Sequence, residues 1–221
     1  MSARAGRGWA VWTDFGGVLT PPIATTMASF CARIGTVPSR LLRAMELVAG
    51  CYGTADVMAP LDTPLVTERD WSRQVELALL AEYGQRVDLS DFAARWFADR
   101  AVNADWLAVL DRLRARRVVV GLLSNMVPSW DAHWRRMVPP ERHFDEVVLS
   151  FRVGSRKPDR GIFDTARARV GAAPERCVLV DDLPANCAGA RAAGWQAVAF
   201  TTAAQAAAEL DGLLAGSGGP P

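Results

Sequence analysis

From Asn103 onward, short apolar runs alternate with amphipathic stretches, and that alternation constrains the fold more than any other feature of the chain. The runs Val118 to Leu123, Val147 to Leu149, Val178 to Val180 and Ala197 to Phe200 predict strands. Ser129 to Met137, Asp159 to Val170, Ala185 to Ala193 and Ala204 to Leu214 predict the helices that follow them. Parallel strands need a long crossover and a helix supplies one, so strand-helix alternation implies an α/β fold: a parallel sheet with helices on both faces. The first apolar run, Trp9 to Thr13, ends at Asp14 and then at Gly16-Gly17, and reads as a further buried strand of the same sheet.

Between that strand and Asn103 the pattern is helical only. Thr67 followed by Asp70 resembles a capping box, and Trp71, Val75, Leu79 and Tyr83 mark one helical face; Leu89, Phe92 and Trp96 repeat the spacing. These aromatic stripes are expected to pack between helices. Residues 21–100 therefore read as an all-helical insertion in a core made of residues 1–20 and 101–215. The tail 216–221, rich in Gly and Pro, is expected to be disordered.

Composition excludes several functions. Lys plus Arg of 25 against Asp plus Glu of 24 provides no general field for nucleic acid or anionic membrane, and the run Arg112 to Arg117 fits the solvated end of a helix. The aliphatic runs are too short to span a bilayer, no signal-peptide pattern follows Met1 to Gly8, and Cys31, Cys51, Cys177 and Cys187 lack metal-ligand spacing. A soluble cytoplasmic protein with free thiols is expected, with monomer and homodimer both open.

An open parallel sheet places its site at the C-terminal strand ends. There lie Asp14, Ser124-Asn125 and the pair Asp181-Asp182, with Lys157 after the third strand. Lys157 is the only lysine, in a chain that otherwise uses arginine for every basic residue. An ammonium is a compact point charge that fits where a planar guanidinium cannot. Carboxylates, a hydroxyl, an amide and an ammonium at one edge suit an anion and a metal ion. Asp14, Ser124-Asn125 and Asp181-Asp182 also have plain structural readings as turn or cap residues, and Lys157 one as a chance survivor in an arginine-biased composition.

The order of these groups resembles the haloacid dehalogenase superfamily of hydrolases. Asp14-Phe15-Gly16-Gly17-Val18 is similar to its first motif, Ser124-Asn125 closes the second, Arg156-Lys157-Pro158-Asp159 the third, and Asp181-Asp182 with Asn186 the fourth. The resemblance implies a Rossmann-like, doubly wound core under a mobile helical cap, with Asp14 as nucleophile. In that reading Lys157 holds nucleophile and substrate together, and Phe15, Gly16, Gly17, Ser124, Asn125 and Lys157 bind phosphate. Mg²⁺ would take Asp14, the Gly16 carbonyl and Asp182, with Asp181 reaching it through water. The partner is a small phosphorylated metabolite, hydrolysed through an aspartyl-phosphate.

One position departs from the pattern. Phosphatases of this superfamily carry a second aspartate two residues after the nucleophile, to protonate the leaving group, and here that residue is Gly16. A phosphatase with a good leaving group, a 2-haloacid dehalogenase and a non-catalytic phospholigand-binding protein all fit. The Asp181-Asp182 pair favours the metal-dependent phosphatase. Residues 21–100 contain no lysine, which argues against a Schiff-base phosphonate hydrolase, and Gly16 argues against a phosphosugar mutase. Trp71, Trp96, Trp130 and His133 are candidates for the site entrance, with packing the simpler role for the tryptophans and a surface position for His133.

Overall fold

The computed structural model describes residues 8–215, so the tail 216–221 lies outside the described residues. A five-stranded sheet forms from β1 (Ala10–Thr13), β2 (Val119–Ser124), β3 (Glu146–Leu149), β4 (Cys177–Asp181) and β5 (Gln196–Ala199), in the order β3-β2-β1-β4-β5. Every neighbouring pair is parallel. The chain leaves β1 toward β2 on one side and later returns to β4 on the other, so β1 is where the strand order reverses. Loops diverge there and open a crevice at the C-terminal ends.

Both faces of the sheet are buried, which explains why its strands read as continuous apolar runs. Val11, Val120, Leu122, Val178 and Val180 join one hydrophobic core with Trp106 and Leu110. Ala10, Trp12, Leu123, Val148 and Leu179 point the other way, toward Ile162, Phe163 and Trp195. Gly121 is required where β2 passes Trp12, since a Cβ there would lie 2.3 Å from the indole. Trp12 lies tilted against Trp195 with centroids 6.2 Å apart, and Trp195 in turn meets Phe163 edge-on at 5.3 Å.

The segment after β1 forms helices Ile23–Ile34, Pro38–Cys51, Ala59–Asp62, Glu68–Tyr83 and Phe92–Phe97, with no strand among its described residues. Phe30, Trp71, Phe92 and Trp96 pack together with ring centroids 4.6–5.7 Å apart. The aromatic stripes are thus core, and that core is continuous with one face of the sheet.

Boundaries shift by a residue or two, and several local readings change. Ser129 to Met137 is a 3-10 turn, Pro128–Trp130, followed by helix Asp131–Met137; Pro128 lacks the N–H for an α-helical start further back. Thr67 caps its helix by accepting from Asp70 N at 3.1 Å, but its hydroxyl donates to Asp70 Oδ2, where a full capping box would have the carboxylate reach the Thr67 amide. Tyr83 is 39% exposed and leaves the buried stripe, and Leu89 lies outside the helix begun by Phe92. His133 is half-buried against Phe97, 5.4 Å between ring centroids, because a flat imidazole can stack on the apolar ring. Short helices Pro140–His143 and Ser150–Val153 were not legible in the apolar pattern, being a single turn each.

Candidate active site

Asp14 follows β1 directly, and its N–H donates to Val180 O at 2.9 Å, which sets it beside the end of β4. Thr13 and Trp106 support it from beneath: Trp106 Nε1 donates to Thr13 Oγ1 and that hydroxyl donates to Asp14 O, both at 2.9 Å. Asn103 secures the following loop. It caps helix Ala104–Ala115 through Trp106 N at 3.1 Å, while its Nδ2 donates to Val18 O at 3.0 Å and its N–H to Leu19 O at 2.8 Å.

Lys157 Nζ lies 2.7 Å from Asp14 Oδ1 and 2.5 Å from Asp181 Oδ2, and the residue is 1% exposed. Burial alone would push the ammonium toward neutrality, but the two carboxylates overcome it and raise its pKa, so it stays charged. The side chain of Asn125 clamps the Lys157 backbone, accepting from its N–H at 2.8 Å and donating to its carbonyl at 2.9 Å. One N–H of that amide, expected to face phosphate, is thus committed to Lys157. Ser124 caps the end of β2 and is buried.

Both oxygens of Asp181 are occupied: besides Lys157, Asn186 Nδ2 donates to each at 3.0 and 3.1 Å, and Leu183 N to Oδ1 at 2.9 Å. Asp182 differs. Its Oδ1 is buried without a hydrogen-bond partner, and burial, then Asp14, then Asp181 push its carboxyl up to about 6. Asp14 is likewise raised, by burial against the opposing pull of Lys157. Asp14, Asp181 and Asp182 each present an oxygen within 4.8 Å of the others. Three carboxylates thus cluster around one ammonium that binds only Asp14 and Asp181, and Asp182 keeps a buried oxygen without a partner, an arrangement that fits a hard divalent cation.

Gly17 makes this approach possible. It has φ of 82°, and a Cβ would lie 2.0 Å from Asp182 Oδ2. Gly16 does not share the left-handed conformation; a Cβ there would meet Ile23 Cδ1 at 2.9 Å and an Arg100 terminal nitrogen at 3.6 Å. The Phe15 side chain packs beneath the helices against Phe97 and Trp134, both with centroids 6.2 Å away, so only its backbone is available to an anion.

These groups open on a cavity of about 320 Å³ whose walls include Asp14, Gly16, Lys157 and Asp182, and the helical segment supplies much of its apolar lining. Of the suggested entrance residues, Trp96 and Trp130 line it, and Trp71 and His133 do not. Trp130 is held by Glu68, which accepts from its Nε1 at 2.5 Å. A wider surface groove of about 1000 Å³ runs beside Glu68–Tyr83 but contains none of the strand-end residues.

Sequence reasoning missed two further parts. Arg156 grips Asp62 with two bonds, 2.8 and 2.9 Å, and Asp56 with a third at 2.8 Å, fastening the helical segment to the loop that carries Lys157. Arg100 also lines the cavity, although no local pattern marks it.

The phosphoserine phosphatase of Thermus thermophilus is 38% identical over 92 residues, 41% of this chain and 37% of that relative, so the match spans well under half of its length. A HAD family enzyme from Bacteroides thetaiotaomicron superposes with a TM-score of 0.63 at 21% identity, covering 88% of this chain and 94% of that one; it has also been crystallised with magnesium and inorganic phosphate. The L-2-haloacid dehalogenase of Xanthobacter autotrophicus, with chloropropionic acid covalently bound, superposes with a TM-score of 0.61 at 16% identity, covering 96% and 84%. These two structures share the fold. The haloacid dehalogenase-like hydrolase family profile matches residues 10–194, from the strand that delivers Asp14 past the Asp181-Asp182 pair, and by that match the chain belongs to the haloacid dehalogenase-like hydrolases.

Proposed function

We propose that this hydrolase is a Mg²⁺-dependent phosphatase that cleaves a small phosphorylated metabolite through an aspartyl-phosphate on Asp14. The observation that carries the reading is the cluster of three carboxylates of which one ammonium binds two, with Asp182 Oδ1 buried and unpartnered. A divalent cation would offset that negative charge and so allow an anionic phosphoryl group to approach Asp14. Asp14, the Gly16 carbonyl and Asp182 would hold the metal, and Asp181 would reach it only through water, its oxygens being taken by Lys157, Asn186 and Leu183. Mg²⁺ supplies charge neutralisation of the phosphoryl oxygens.

The chain's own residues account for the rest. Lys157 fixes Asp14 through Oδ1, which orients the carboxylate and lessens its repulsion with the phosphoryl group. The other carboxylate oxygen forms the bond to phosphorus while the ester bond breaks, and water then releases phosphate and restores Asp14. Amides of the Phe15 to Gly17 loop and the Ser124 hydroxyl are the donors for phosphoryl oxygens. Residues 21–100 serve as the cap, their side chains screening the cavity from water.

A screen of phosphorylated metabolites and aryl phosphates, with and without Mg²⁺ and alongside 2-haloacids, tests this. Mg²⁺-dependent release of phosphate is expected from the parent and not from Asp14→Asn. Halide release from 2-haloacids, without phosphate turnover, would replace it with the dehalogenase reading.

A further inference from the structure

Among the charged groups around the cavity, Arg100 stands apart. Its guanidinium lies among the rings of Phe15, Trp96 and Phe97, 5.4–5.8 Å from each centroid. Nε and one terminal nitrogen are buried with no hydrogen-bond partner. No carboxylate among the described residues pairs with it, whereas Lys157 and Arg156 each bind two. Burial lowers its pKa to about 10, opposed by Asp14, so it remains a cation at neutral pH. Leaving donors of a buried cation unmatched is costly, and a polar anionic atom arriving with substrate would satisfy them.

Position indicates which atom that is. The Arg100 terminal nitrogen stands 3.6 Å from where a Cβ on Gly16 would be, on the loop directly after Asp14. The cavity walls also include Met27, Met45, Met58, Trp96 and Trp130, and most of the lining is apolar. Such walls offer area and polarisable contact but few hydrogen bonds for a polyol.

Resting on the phosphatase reading, we propose that Arg100 is a catalytic residue that stabilises the departing ester oxygen as an anion, and that the substrate is a phosphate ester of an acidic hydroxyl, phenolic or enolic, on a small apolar body. Asp14 forms its bond to phosphorus as the ester P–O bond breaks. The bonding pair stays on the leaving oxygen, which the Arg100 N–H groups hold as an aryloxide or enolate until it takes a proton from solvent. No carboxylic acid at residue 16 is then needed.

The test is hydrolysis of aryl phosphates of graded leaving-group pKa by the parent, Arg100→Gln and Arg100→Lys with Mg²⁺, beside orthophosphate binding measured by calorimetry. For Arg100→Gln, kcat/KM is expected to fall about tenfold for 4-nitrophenyl phosphate and roughly a hundredfold or more for 4-methylphenyl phosphate. Arg100→Lys should recover part of the difference, and orthophosphate, which has no leaving group, should bind both variants like the parent. An equal loss across the series, or none, overturns the proposal while leaving the phosphatase reading intact. So does a loss confined to substrates bearing a carboxylate. A parent inert toward every phosphate ester overturns both. Should Arg100→Gln fail to bind orthophosphate, Arg100→Lys decides: a loss that grows with leaving-group pKa supports the role, and a uniform loss, or none, overturns it.

Discussion

The side chain of Asn125 holds both main-chain polar groups of Lys157, at 2.8 and 2.9 Å, and so places the lysine ammonium between Asp14 and Asp181. Asn125→Ala is expected to cost about 1–3 kcal/mol of stability, since two buried backbone groups lose their partners. It should also lower kcat with less effect on KM, because in the proposed mechanism the lysine it orients acts on the reacting carboxylate more than on ground-state binding. Urea unfolding and steady-state kinetics on an aryl phosphate give the two numbers.

Lys157→Arg tests why the one lysine of the chain is here. The slot is closed, and a guanidinium is broader and flatter than an ammonium. A loss of roughly a hundredfold or more in kcat/KM, about 3 kcal/mol, is expected. Kinetics like the parent's would return this residue to an accident of composition.

Much of this was legible in sequence, for physical reasons that can be named. Trp9 to Thr13 and Val178 to Val180 announce buried strands because both faces of the sheet are covered, and Asp14 and Asp181 stand out as the charges that end those runs. Arg100 was not legible, because its neighbours Trp96 and Phe97 read as core stripe and the Phe15 ring that completes its surroundings comes from the loop after the first strand. The Asn125 clamp escaped for a different reason: an asparagine at a strand end suits capping, phosphate binding and backbone support equally until its partner 32 residues away is placed. Gly16 and Gly17 look alike in sequence, yet only Gly17 has a positive φ and an aspartate in contact.

Gly17→Ala should accordingly act on the metal site. Left-handed backbone costs an alanine roughly 1–2 kcal/mol, and the new methyl must push Asp182 away. Thermal unfolding is expected to show a lower Tm and a smaller rise in Tm on adding Mg²⁺ than in the parent. An unchanged Mg²⁺ response would remove Asp182 from the metal site.

The response to Mg²⁺ should also depend on pH. Since the Asp182 carboxyl is raised to about 6 in the fold, the metal-free protein holds that proton more tightly than the unfolded chain does, and loses this stabilisation as pH rises through about 6. A cation must displace the same proton, so the Tm gain from Mg²⁺ should be small near pH 5 and larger above about pH 7. The comparison is one set of melting curves with and without Mg²⁺ across that range, and Asp182→Asn should flatten it.

The covalent role of Asp14 is tested most directly by rapid quench of the parent with an aryl phosphate and Mg²⁺, followed by mass spectrometry of the peptide that contains it. A phosphoryl group on Asp14 that forms and decays within one turnover, and is absent from Asp14→Asn, is the predicted result. Phosphate release at the parent rate by a folded Asp14→Asn, or turnover by the parent in which the Asp14 peptide is never phosphorylated, would contradict it.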